Sequence, residues 1–333
     1  MCGVRQASRN DNYLIAIYDL TFNPITFDFA YFMASAELFA KKHCMTQFEV
    51  IIVRKQQVSA AVDNIYEVAV DSDSSEWRLN NIVLPLISLY PSCIGHAVVT
   101  TFSDIKVDLK NNTIYPEFYS KNYRPCFSYN DFYSLASTYS LSGLRASAQG
   151  LKYVRSWRKE NNLTGNIVTI TIRNYKYDTT RNSNIDEWVK FAHLIKSAGY
   201  VPVFVPDTDS CFENDKRVDG LIVFREPCWN LGLRIALYEE SYLNFFKSSG
   251  TASLAQLNMK VRYICMSMAV AGSLQATEDI WKIRGIEVGQ RKFSFSKDYQ
   301  ICSWSEDQLN NICAEFYAFI ENDTGISPSS AFL

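Results

Sequence analysis

Along this chain, short runs of β-branched and apolar residues alternate with longer stretches whose apolar positions recur every three or four residues. The second half shows the pattern most plainly. The run Asn166-Ile-Val-Thr-Ile-Thr-Ile172 predicts a buried parallel strand. After a polar loop, Ile185, Trp188, Ala192 and Ile195 share one helical face. Asn182, Ser183 or Asn184 stands where a cap is wanted, and Gly199 fits the C-terminal exit. Residues 200–205, 220–224, 243–246 and 261–266 predict further strands, with Leu231, Ile235, Tyr238 and Tyr242 marking a helix between two of them.

The first half repeats the rhythm less strongly. Residues 13–18 predict a strand leading to Asp19, and a helix is expected from near Asn23-Pro24, with Ile25, Phe29, Phe32, Ala36 and Phe39 as its buried stripe. Residues 48–53 and 94–102 predict two more strands. Strands alternating with helices at this spacing imply parallel, doubly wound sheets with right-handed crossovers. The expected fold class is α/β, with two Rossmann-like domains facing across a cleft. Residues 1–150 form the first domain, 151–304 the second, and 305–333 a C-terminal helix and tail, the chain crossing between Tyr139 and Gly165. Residues 103–135 are polar and broken by Pro116 and Pro125. The last helix is expected to start at Ser305, with Gln308 at capping-box spacing and Leu309, Ile312, Phe316 and Phe319 as its stripe. In a two-domain protein such a helix can cross back onto the first domain.

Composition removes several function classes. The net charge of −2 over 333 residues leaves no Lys/Arg excess for a nucleic-acid surface. No apolar run approaches the ~18 residues of a membrane span, and the polar start from Met1 to Asn12 lacks a signal-peptide core. A soluble, cytoplasmic protein is expected. Only Gly3 of the 13 glycines precedes Gly95, so neither a dinucleotide fingerprint nor a P-loop can follow the first strand, and neither pattern occurs later. The nine cysteines form no C-x-x-C pair, which suits reduced thiols. His43, His96 and His193 are too scattered for a zinc site of ordinary spacing, and no metal is expected. There is no G-x-S-x-G elbow.

Ligands of open α/β sheets bind beyond the carboxyl ends of the strands, so the residues that follow each strand are the candidates. Arg173, Asn174 and Arg181 follow the 166–172 strand, where an arginine can clamp a phosphate or carboxylate bidentately. The bland alternative for Arg173 is a surface pairing with Asp178 or Asp186. Ser248, Ser249, Gly250 and Thr251 make a small-residue turn before a short helix, suited to a diphosphate or to ordinary capping. Asp207, with Asp209, can meet ribose or sugar hydroxyls or serve ordinary turn chemistry, and Glu239, beside Glu240, can reach ribose hydroxyls or lie on a solvated helix face. In the first half, Asp19 and Asp28 are the carboxylates placed to act as a general base, Asp28 being equally suited to a helix N-terminus by the helix dipole alone.

Taken together, Ile170-Thr-Ile-Arg-Asn174, Arg181-Asn-Ser-Asn184, Val203-Phe-Val-Pro-Asp207 and Ser248-Ser-Gly-Thr251 resemble the nucleotide-sugar domain of the two-domain GT-B glycosyltransferases of bacterial surface-polysaccharide type. Tyr18-Asp19-Leu20 and Pro24-Ile-Thr-Phe-Asp28 resemble the opening of their acceptor domain. The resemblance implies transfer of a sugar from a nucleotide-sugar substrate to a glycan or glycolipid hydroxyl. It implies no cofactor and no metal, with a peripheral membrane contact compatible with a glycolipid acceptor. The E-x7-E spacing of many retaining members is absent around Glu239 and Glu240, which points to inversion. A nucleotide-sugar epimerase and a non-catalytic carbohydrate-binding protein are the alternatives on the same architecture.

Overall fold

A computed structural model of the chain describes residues 13–55 and 72–325. The first apolar run becomes β1 (Leu14–Asp19), all six residues of which are buried. Its neighbours are β2 (Phe48–Val53), β3 (Cys93–Val99) and β4 (Ile114–Tyr115), in the order β3-β2-β1-β4, all parallel. Alternation decides which residue faces what. Leu14, Ala16 and Tyr18 pack under α1 (Asp28–Lys42), whereas Ile15 and Ile17 meet Val107, Leu109 and Tyr119 from the polar stretch expected to be irregular. That stretch therefore covers one face of the sheet, and only its two-residue β4 escaped the strand pattern.

The second sheet has the order β10-β9-β8-β5-β6-β7, all parallel. Its strands are β5 (Ile167–Thr171), β6 (Val201–Val205), β7 (Ile222–Val223), β8 (Leu243–Lys247), β9 (Tyr263–Met266) and β10 (Gln300–Cys302). The chain runs outward from β5 through β6 to β7, then returns to lay β8 on the other side of β5. The reversal opens a crevice between the ends of β5 and β8. Helix α5 (Ala148–Glu160) packs on α7 (Leu231–Glu240), so close that Gly150 lies against the carbonyl of Gly232. Between the sheets and these helices run α2 (Ser72–Arg78), a single π turn (Leu79–Val83), α3 (Leu84–Ser88) and α4 (Tyr129–Thr138).

Helix α6 (Ile185–Ser197) buries Trp188, Phe191, Ala192 and Ile195, and Gly199 ends it at φ 86°, the left-handed conformation that glycine adopts without strain. Two helix expectations need correction. Helix α1 starts at Asp28, not near Pro24, because residues 20–24 are tied into a loop: Leu20 N donates to Val53 O, Asn23 Nδ2 to Asp19 O, and Tyr18 Oη to Pro24 O. The last helix, α10 (Leu309–Thr324), starts four residues after Ser305 and has no capping box; Glu187 accepts its first N–H. It does not cross back. Ile312, Phe316 and Phe319 pack on Trp188, Phe191 and Phe245 of the second domain, where their apolar stripe finds its cover.

The domains share one apolar cluster, which runs from β1 and α1 into α7, α8 (Ala252–Gln256) and β9. Tyr31 Oη donates to Gln256 Oε1 at 2.6 Å across the junction. No helix among the described residues is long and apolar enough to cross a membrane.

Candidate functional site

Between the two sheets lies a cleft of about 930 Å³, reached by the carboxyl ends of β5, β6 and β8. Its second-domain wall is built on the crevice between β5 and β8. Arg181 donates to the carbonyl of Ser248 at 2.7 Å, joining the loop after β5 to the turn after β8. In that turn the hydroxyls of Ser249 and Thr251 are 3.1 Å apart, and Ser253 Oγ donates to Gly250 O. The turn rests on a buried ion pair: Lys247 Nζ meets Asp307 Oδ1 at 2.8 Å and also donates to Asn182 O. Asp307 in turn accepts from Trp188 Nε1 and Asn184 N, so the start of α6 and the end of β8 are held as one unit.

Arg173 lines the cleft, but its guanidinium is committed to its own loop. It donates to Tyr177 O, Asp178 O and Asn182 Oδ1 at 2.5–2.9 Å. The surface pairing with Asp178 or Asp186 is not formed, since Arg173 is buried and grips backbone carbonyls and an amide. Burial, with Arg181 beside it, pushes the Arg173 guanidinium down to about 10, so it stays charged at neutral pH. Asp178 occupies the left-handed region at φ 56°. Burial works against its charge, but hydrogen bonds from Thr180 and Ser273, and nearby Arg181, hold its carboxyl below the ordinary value.

On the first-domain wall, Asp28 opens α1 and lines the cleft. Thr26 Oγ1 donates to Asp28 Oδ2 at 2.9 Å, and Tyr129 Oη donates to Oδ1. Burial, then the Asp28 carboxylate, raises the Tyr129 phenol well above its ordinary value, so it remains a donor. The residue before Asp28, Phe27, touches the facing turn, its ring 3.0 Å from where a Cβ on Gly250 would stand. On the opposite side of the cleft, Arg78 donates to Tyr175 Oη at 3.1 Å, again from first domain to second.

The structure thus brings Asp28, Arg173, Arg181, Ser248–Thr251, Asp207 and Asp209 onto one cleft. Asp207 accepts from Asn174 N at 3.0 Å, and burial raises its carboxyl above the ordinary value. Asn174 lines a smaller adjoining cavity of about 200 Å³. Two further candidates lie outside the cleft. Asp19 is fully buried and accepts from Tyr119 Oη and Arg124 Nε, each at 2.6 Å, because the chain after β4 folds over the end of β1. Glu239 accepts from Ala146 N and Asn258 Nδ2, with Lys260 at 3.6 Å, and ties the interdomain crossing to the end of α8. Neither carboxylate lines the cleft. His96 and His193 are exposed elsewhere.

Several cleft residues are not among the sequence candidates. Phe212 and Trp229, stacked at 5.1 Å with planes 19° apart, follow β6 and β7, and the strand-end rule applied to every strand would have found them. Tyr129, Trp281 and Arg284 could not have been found that way. Arg284 follows α9 (Glu278–Ile283) and places its guanidinium 4.3 Å from the ring centre of Tyr129 and 5.2 Å from that of Trp281. Among the described residues no group of three or more His, Cys, Asp or Glu has the geometry of a metal site.

The sequence matches no family model and none of the curated proteins with which it was compared. Solved structures share its fold. A glycosyl transferase of family 9 from Veillonella parvula superposes with a TM-score of 0.56 at 10% identity, covering 95% of this chain and 99% of that one. The ADP-heptose lps heptosyltransferase II of E. coli superposes with a TM-score of 0.50 at 8% identity, covering 93% and 99%. The likeness is one of architecture: two facing Rossmann-like domains of GT-B type, over nearly the whole chain.

Proposed function

We propose that this protein moves a sugar from a nucleotide-sugar donor to a hydroxyl of a glycan or glycolipid acceptor. One observation carries the proposal: in a GT-B fold, the Asp28 carboxylate and the Ser248–Thr251 turn stand on facing walls of one cleft, joined through the Phe27–Gly250 contact. The donor diphosphate lies against Arg181 and the hydroxyls of Ser249 and Thr251, at the crevice between β5 and β8. Asp28 takes the proton of the acceptor hydroxyl as its oxygen attacks the anomeric carbon. The bond from that carbon to the phosphate oxygen breaks, and the diphosphate leaves with the electron pair. A single displacement of this kind inverts the anomeric centre. Arginine and hydroxyl donors meet the charge of the leaving group, so the scheme uses no metal.

Residues expected to act and found elsewhere leave Asp28 as the carboxylate to test. We place the activity in the cytoplasm, where nucleotide sugars are available, in keeping with eight described cysteines that are all unpaired. A glycolipid acceptor would bring a peripheral membrane contact with it. The deciding experiment is a thermal-shift panel of UDP, GDP, ADP and CMP with their sugars. One nucleotide should stabilise the protein by about 2.7 kcal/mol at roughly 100 times its Kd, and Arg181→Ala should abolish the shift. A panel in which no nucleotide moves the melting curve removes the proposal.

A further inference from the structure

Four arginines line the cleft, and three of them already have oxygen partners: Arg78 on Tyr175 Oη, Arg173 on its own loop and Arg181 on Ser248 O. Arg284 differs. Among the described residues its guanidinium has aromatic neighbours and no ion pair, although it is partly sheltered from water. The acidic side chains on its own element are engaged elsewhere, since Glu278 and Asp279 lie 3.7 and 3.6 Å from Lys282. Asp28, which shares Tyr129 with Arg284, is taken by Thr26 and Tyr129. A guanidinium laid on aromatic faces keeps its N–H edges directed outward, the geometry suited to a bidentate oxyanion.

The platform beneath it is fixed. Trp281 donates its Nε1 proton to Met268 O, and Tyr129 is locked edge-on against Phe127 and Tyr31. Tyr129 therefore presents two things at once: its hydroxyl holds Asp28 and its face carries Arg284. A general base must lie within hydrogen-bond reach of the proton it removes, so the acceptor ring belongs on this same wall, opposite Arg181 and the 248–251 turn.

Resting on the transferase proposal above, we infer that Arg284, Tyr129 and Trp281 form a subsite for an acceptor sugar carrying an anionic group, a phosphate or a carboxylate. Tyr129 and Trp281 hold the guanidinium in place, Arg284 takes the oxyanion, and Asp28 takes the attacking hydroxyl. Neutral sugars lack the group that Arg284 is placed to hold.

Calorimetric titrations with glucose 6-phosphate, glucuronate and glucose test this on the full-length protein. The two anionic sugars should bind at least about tenfold more tightly than glucose, as expected of a charge-assisted bidentate contact. Arg284→Met should remove that preference and Arg284→Lys should keep part of it. In both variants the nucleotide selected by the thermal-shift panel should bind as in the wild type, which also shows that they fold. Equal binding of all three sugars to the wild type overturns the inference. So does loss of nucleotide binding together with sugar binding in Arg284→Met, because Arg284 would then hold the donor. If the anionic preference is present and no nucleotide binds, the subsite stands and the transferase proposal falls.

Discussion

Gly250 and Phe27 touch across the two domains: a Cβ on the glycine would stand 3.0 Å from Phe27 Cδ2 and 3.4 Å from its Cβ. Each residue borders a functional element, the turn after β8 on one side and Asp28 on the other. The absence of a side chain at 250 therefore sets how near the two walls come. Gly250→Ala should push the half-buried ring by a few tenths of an ångström and lower kcat/KM about tenfold through misplacement of the reacting groups. The cost in stability should stay within about 1 kcal/mol. Kinetics alongside chemical denaturation separate the two effects.

Asp28→Asn should lower kcat by about 10²–10⁴, the usual worth of a positioned general base, with the nucleotide thermal shift intact. Tyr129→Phe removes one of the two hydrogen bonds that hold the carboxylate, and should cost about tenfold in kcat through looser orientation. A normal kcat in Asp28→Asn would exclude this carboxylate as the base.

The two arginines after β5 should behave oppositely. Arg173→Ala leaves the Tyr177 and Asp178 carbonyls and the Asn182 amide oxygen without their donor, and should destabilise the protein by about 3 kcal/mol. Arg181→Ala should cost about 1 kcal/mol and abolish nucleotide binding. Urea unfolding and nucleotide titration of both variants check the contrast.

Asp19 should matter for folding and not for chemistry. Removing the carboxylate in Asp19→Ala strands the Tyr119 hydroxyl and the Arg124 guanidinium, at a cost of about 3 kcal/mol, typical of a broken buried pair. The folded fraction should retain wild-type kcat. A large drop in kcat without a drop in Tm would return Asp19 to the list of bases.

Asp207 links stability to pH. Its carboxyl titrates higher in the folded protein than in the unfolded chain because burial disfavours the charge. The protonated form is thus the one that folding favours. That contribution is complete below the unfolded value of about 3.9 and fades as pH rises through the raised folded value. Asp207→Asn can still accept from Asn174 N, and should raise the urea midpoint relative to wild type by more at about pH 7.5 than at about pH 4.5. An equal effect at both values would show that Asp207 is not burdened by its charge.

Much of the fold was legible along the chain because buried parallel strands are written as contiguous apolar runs. Residues 14–19, 48–53, 167–171 and 243–247 needed no partner to be recognised. The second-domain half of the site was legible for a related reason: the residues after β5 and β8 are fixed in space by their strands, and the reversal of strand order brings them together. Strands β4 and β10, two and three residues long, are too short to show a period.

Periodicity also says nothing about what covers an exposed strand end. Asp19 and Asp28 look alike in the sequence, each a carboxylate near a strand-to-helix turn. The chain after β4 returns a hundred residues later to bury the first with Tyr119 and Arg124, while α4 brings Tyr129 to hold the second at the cleft. Arg173 and Arg181 divide in the same way, the one absorbed by its own loop and the other bonded to a turn 67 residues away. Local sequence thus determined most of the strands, several of the helices and the edge on which chemistry must sit. Only tertiary structure decided which charges are spent on holding the fold and which face a ligand, because the partners that neutralise a buried charge come from distant parts of the chain.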